Sequence, residues 1–79
     1  MEKEIANKLK LHLQNRVRGK IIVRFYYDTI SIFITNENIT YSIFIENAHD
    51  IIMQGTPLKY IADRALKEYK TFVLKKFFI

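Results

Sequence analysis

Ile5, Leu9, Leu13 and Val17 recur at every fourth position with Ala6 alongside, which places them on one stripe of a first helix. Gly19 reads as its stop. Lys3, Lys8, Lys10 and Arg16 lie on or beside the polar side, and Leu11 points away from the stripe. From Lys20 to Glu46 the pattern changes to β-branched and aromatic residues with period two, broken at Asp28-Thr29 and at Asn36-Glu37-Asn38. This predicts a three-stranded antiparallel meander. Its core face would hold Val23, Phe25, Ile30, Ile32, Ile34, Tyr41, Ile43 and Ile45, provided that both turns preserve parity. Two-residue turns at Asp28-Thr29 and Glu37-Asn38 do so, and they pair Phe25 with Ile32 and Ile32 with Ile43.

Beyond the meander, Asn47 reads as the cap of a short helix, with Asp50 in its first turn and Gly55 at its end. Thr56-Pro57 then signals a new start, an N-cap followed by the residue best suited to the first helical position. Leu58, Ile61, Ala62, Ala65, Leu66, Tyr69, Phe72 and Val73 keep the spacing of a wide buried stripe, so a long C-terminal helix is predicted. The stripe fails at its end. Lys75 and Lys76 fall toward the core side while Leu74, Phe77 and Phe78 fall elsewhere. The expected architecture is one α+β domain over residues 1–79, ordered α-β-β-β-α-α.

A chain of 79 residues has room for one core and little else. With no cysteine there is neither a disulfide framework nor a thiolate metal site, which points to a reducing cytoplasm. Glu2, Lys3 and Glu4 precede the first apolar stretch, and no run reaches the length of a secretory or membrane-spanning segment, so the chain reads as soluble, unprocessed and without a membrane partner. Abundant Ile, Lys, Asn, Phe and Tyr with two Gly and one Pro is a composition that AT-rich coding produces, a hint of a low-GC bacterium or its phage. The net charge of +5 belongs to the two ends: residues 1–20 carry six basic and two acidic side chains, and residues 57–79 again six and two. A basic balance favours nucleic acid, an anionic membrane or an acidic protein surface, without choosing among them.

Little in the chain supports catalysis. His12 and His49 are the only imidazoles and read as plain surface or boundary residues, His49 in the first turn of the short helix; no two histidines stand at metal-ligand spacing, and Asp50 is accounted for as a first-turn residue. Gly19 and Gly55 stand alone, so no glycine-rich phosphate loop can be built. The expectation is a protein that is not an enzyme and uses no cofactor or metal.

Two surfaces carry the candidate function. The sheet face opposite the core holds Ile22, Arg24, Tyr26, Ser31, Phe33, Thr35, Thr40, Ser42, Phe44 and Glu46. Three aromatics on a nominally open face are unusual. The register above places Arg24, Phe33 and Ser42 in one row and Tyr26, Ser31 and Phe44 in the next. Such a patch suits base stacking or a protein interface. In the bland alternative, Phe77 and Phe78 fold back over it and complete the domain. For a protein partner the candidate contacts are Arg24, Tyr26, Phe33, Phe44, Phe77 and Phe78. The second surface is the outer side of the last helix, where Lys59, Arg64, Lys67 and Lys70 surround Tyr60, a set suited to nucleic-acid phosphates and stacking, although a plain solvated face is the commoner meaning of such a pattern.

The order of elements is similar to the double-stranded-RNA-binding domain, a small basic α-β-β-β-α unit, although Thr56-Pro57-Leu58-Lys59-Tyr60 supplies one lysine where that family has several and the loop Asn36-Glu37-Asn38 is acidic. The C-terminal stretch, Asp50 to Gly55, Tyr60-Ile61-Ala62 and Glu68 to Phe78, resembles small accessory proteins of phages and prophages of low-GC Gram-positive bacteria. That resemblance implies a compact inhibitor or adaptor of a host protein or ribonucleoprotein, of which anti-CRISPR proteins are one class, acting in the cytoplasm of the bacterial host. Direct nucleic-acid binding is the rival expectation, and a homodimer through the tail or the sheet face is a third.

Overall fold

The computed structural model describes residues 1–77, with Phe77 described by its backbone alone. Helix α1 spans Glu2–Gln14. Strands β1 (Lys20–Tyr26), β2 (Thr29–Asn36) and β3 (Ile39–Ile45) form one antiparallel sheet in sequence order, followed by a short helix α2 (Ala48–Met53) and a long helix α3 (Leu58–Phe77). The α+β fold and its α-β-β-β-α-α order are those expected from the hydrophobic pattern.

Two layers share one core. Leu9 and Leu13 of α1 meet Ile21 and Phe25 of β1, Ile30, Ile32 and Ile34 of β2, and Ile43 and Ile45 of β3. Ile61, Ala62, Ala65 and Leu66 bring α3 into the same cluster. The two alanines let α3 approach α1 closely, and each fully buried Leu or Ile contributes roughly 1.5–3 kcal/mol. Glu2 and Glu4 in the first turn of α1 and His12 in its last complement the helix dipole. Tyr41 of β3 stacks on Phe72 of α3 with ring centroids 4.5 Å apart, which seats the outer half of α3 against the sheet.

Helix α1 stops earlier than its apolar stripe. It ends at Gln14 with Asn15 as cap, and Val17 packs against the core from the connection instead. Gly19 therefore has another task. It has φ +115°, and a Cβ there would lie 2.3 Å from the Thr35 carbonyl oxygen. Gly19 lets the chain pass the end of β2 as β1 begins. Gly55 does end α2: its N–H donates to the Ile52 carbonyl (3.0 Å) and that of Thr56 to the Ile51 carbonyl (3.3 Å), the paired bonds of a glycine-terminated helix. At the start of α3 the Pro57 carbonyl accepts from Ile61 N–H, which makes Pro57 rather than Thr56 the cap residue.

The first hairpin corrects the expected register. Its two turn residues are Tyr27 and Asp28, not Asp28 and Thr29, so Phe25 faces Ile30 and Val23 faces Ile32. The physical reason lies in the turn. Both central residues take positive φ (49° and 60°), a conformation hostile to β-branched Thr29, and the shift leaves Thr29 in the strand. Because the pairing moves by two residues, the core face keeps its members. The second hairpin turns at Glu37-Asn38 and pairs Ile32 with Ile43, as expected.

Candidate functional site

Both long helices pack on one face of the sheet, and the opposite face carries the residues singled out above. Its rows are Ile22–Phe33–Ser42 and Arg24–Ser31–Phe44, flanked by Lys20–Thr35–Thr40, whose two threonine hydroxyls lie 2.8 Å apart. Arg24 thus stands across from Ser31, not Phe33, and Tyr26 across from Thr29, not Ser31. Phe33 and Phe44 remain diagonal neighbours in an edge-to-face contact, centroids 6.1 Å apart at 87°. Phe33 is half-buried beside its neighbours, while Phe44 is 59% exposed.

Tyr26 leaves this pair. Its ring lies 4.3 Å from that of Tyr27 at the hairpin tip, where the two are 67% and 84% exposed. The open face therefore presents two aromatic groups, Phe33 with Phe44 on the strands and Tyr26 with Tyr27 at the corner, with the Arg24 guanidinium exposed between β1 and the solvent. Tyr27 was not among the expected contacts. The clue was Thr29, whose branched side chain excludes it from a positive-φ turn.

Helix α3 runs unbroken to Phe77, past the end of the sheet, so Lys76 is solvent-exposed although its azimuth is that of the core stripe. No turn that would fold the terminal aromatics back over the sheet occurs within residues 58–77, which are helical throughout. The Phe77 side chain and Phe78, both expected contacts, lie outside the described residues.

On the outer side of α3, Lys59, Tyr60, Arg64, Lys67 and Lys70 are all exposed. Arg64 Nε lies 3.9 Å from Glu68 Oε1, one turn on. Asp63, which interrupts the basic set in sequence, turns toward Arg16: the guanidinium nitrogen lies 2.6 Å from Asp63 Oδ1, a close ion pair without the N–H alignment of a hydrogen bond. The carboxylate is thereby tied to the connection after α1.

His49 is not an idle surface residue. Its backbone N–H and its Nδ1 both reach Asp28 Oδ1, at 2.8 and 2.6 Å, its Nε2 lies 3.2 Å from Glu2 Oε2, and its ring sits 4.8 Å from that of Phe25. With a carboxylate at each ring nitrogen, the imidazole ties the first hairpin, α1 and α2 together. The hydrogen bond from the His49 backbone N–H is the main cause that holds the Asp28 carboxyl below its ordinary value; desolvation opposes it, and the imidazole adds to it. Among the described residues no group of three His, Cys, Asp or Glu side chains is placed to hold a metal ion, and no helix is long and apolar enough to cross a membrane.

Comparison of the chain with protein-family models, curated proteins and solved structures finds no match.

Proposed function

We propose that the chain is a non-enzymatic binding protein that grips another protein through the open face of its sheet. The observation that carries this reading is the placement of both long helices on one side, which leaves Phe33, Phe44, Tyr26 and Arg24 on the other. Aromatic and arginine side chains are the ones that dominate protein contacts, because they bury much surface for little lost rotamer freedom. The resemblance of the C-terminal stretch to phage accessory proteins narrows the reading to an inhibitor or adaptor of a host protein or ribonucleoprotein, in the manner of anti-CRISPR proteins.

The test compares variants against a partner captured from a low-GC Gram-positive bacterial lysate and then purified. Phe44→Ala and Arg24→Ala alter exposed positions, so each should leave the melting temperature nearly unchanged and weaken the complex at least about tenfold, the scale of an interface hot spot. Lys67→Glu with Lys70→Glu should leave it intact. The opposite pattern sinks the proposal.

A second reading, direct nucleic-acid binding, is favoured by one feature: Lys59, Tyr60, Arg64, Lys67 and Lys70 share the exposed side of α3 while Asp63 is held by Arg16. Titration of labelled duplex RNA, duplex DNA and single strands at two salt concentrations decides it. Binding through phosphates must weaken steeply with salt and vanish in the double charge reversal.

A further inference from the structure

The sheet has two edges, and they are guarded unequally. β1 carries Lys20 and Arg24 and has α1 packed against it. β3, by contrast, contains no charged residue, proline or glycine from Ile39 to Ile45, and its register against β2 runs without a bulge from Asn36–Ile39 to Ile30–Ile45. Among the described residues no turn or helix backbone group bonds to it. Charges, prolines and bulges are among the devices that keep edge strands from pairing with other chains, and β3 has none of these; α3 touches it from the core side, as α1 does β1, and leaves its backbone edge unbonded.

Hairpin geometry decides which backbone groups of β3 are free. The Glu37-Asn38 turn has positive φ at both residues (50° and 69°), so it is closed by the hydrogen-bonded pair Asn36 and Ile39. Alternation then directs the N–H and C=O of Ile39, Tyr41, Ile43 and Ile45 toward β2, and those of Thr40, Ser42 and Phe44 outward. All three outward residues are exposed.

We infer that β3 pairs antiparallel with β3 of a second copy, with Ser42 on the two-fold axis. This register uses every outward group: the two Ser42 residues exchange a pair of hydrogen bonds, and Thr40 of each copy exchanges another pair with Phe44 of the other. Centring on Thr40 or Phe44 leaves outward groups unpaired. The side chains agree with the backbone. Thr40 meets Phe44 on the open face and Tyr41 meets Ile43 on the core side, both aromatic and β-branched pairs of the kind that stabilise sheets. Although each copy carries +5, no charge opposes a like charge along this strand. The contact is self-complementary and closed, so it ends at a dimer with a continuous six-stranded sheet instead of a fibre. It is made by the backbone edge of β3, whereas the proposed partner contact is made by open-face side chains, with Phe44 contributing to both.

The experiment is sedimentation of the full chain from low micromolar to millimolar concentration, paired with amide hydrogen exchange. The mass should rise from 9.5 kDa toward twice that value, and the amides of Thr40, Ser42 and Phe44 should gain protection over the same concentration range. Ser42→Lys sets lysine against lysine on the axis. Ser42→Pro removes an N–H that no bond within the chain uses, a change edge strands tolerate. Each should raise the dimer Kd at least about tenfold. If Ser42→Pro fails to fold, Ser42→Lys at the same exposed position still decides the matter. A chain that stays at 9.5 kDa throughout, protection at other residues, or a dimer indifferent to the substitutions at Ser42 overturns the inference, as does a β3 that accepts only a strand from a different polypeptide.

Discussion

Asp28 and His49, 21 residues apart, meet in a two-pronged contact: the Asp28 carboxylate accepts both the His49 backbone N–H and its Nδ1, while the Asp28 carbonyl accepts the Ala48 N–H at 2.9 Å. The first hairpin turn thereby caps α2. Asn47 occupies the cap position but lies in the left-handed region (φ 57°, ψ 38°) and makes no side-chain cap bond, so the N–H groups of Ala48 and His49 are satisfied from across the fold.

That contact makes stability depend on acid. Because the folded state holds the Asp28 carboxyl below its ordinary value of 3.8, its contribution is complete above that value and is lost as pH falls through the lower folded one. Asp28→Asn keeps an accepting oxygen and removes the titration. Urea midpoints measured from neutral pH downward should therefore fall less steeply for the variant at the acid end. Equal acid limbs would show that other carboxylates govern it.

Gly19 and Gly55 should respond differently to alanine. At Gly19 a Cβ meets the Thr35 carbonyl oxygen at 2.3 Å as well as a strained φ, whereas at Gly55 it meets open space at φ +90°. Gly55→Ala should cost about 1–2 kcal/mol, the left-handed penalty alone. Gly19→Ala should cost more, since backbone must shift, and the order of their denaturant midpoints is the check.

Within α1 two leucines separate core from surface. Leu9 is fully buried, so Leu9→Ala should cost about 2–5 kcal/mol through lost burial and a cavity. Leu11 is 62% exposed, and Leu11→Ala should stay within about 0.5 kcal/mol of the parent by the same chemical-denaturation assay.

Tyr27 holds a positive φ of 49° that suits asparagine far better than an aromatic. Tyr27→Asn should therefore stabilise the fold by up to about 1 kcal/mol, less what is lost from the contact with Tyr26. If the same variant weakens partner binding, the strain at the hairpin tip serves recognition, because a residue that costs stability without contributing to contact has no reason to stay strained. Calorimetry and a binding titration on one sample give both numbers.

Periodicity was enough to assign α1, the strands and α3 their types and each strand its core face, while α2 was read from its cap, first-turn and stop residues. Val23, Phe25, Ile30, Ile32, Ile34, Tyr41, Ile43 and Ile45 all turn inward because alternation survives any even shift of register. For that same reason the pattern could not place the first turn: moving it by one residue shifts the pairing by two and changes no side chain's face. The choice fell to the positive φ that Thr29 resists, a local signal that alternation does not carry, and to the bonds from Asp28 to α2, which only the fold supplies. The candidate face was readable as a set, since Arg24, Tyr26, Phe33 and Phe44 follow from parity, but its internal arrangement was not. Arg24 faces Ser31 and Tyr26 joins Tyr27 only because the strands are aligned as they are. His49 looked like an ordinary first-turn residue until the fold brought Glu2 and Asp28 to its two nitrogens. Local patterning sets which way a side chain points, whereas whom it meets depends on the register and docking of whole elements, and those are settled by packing across the core.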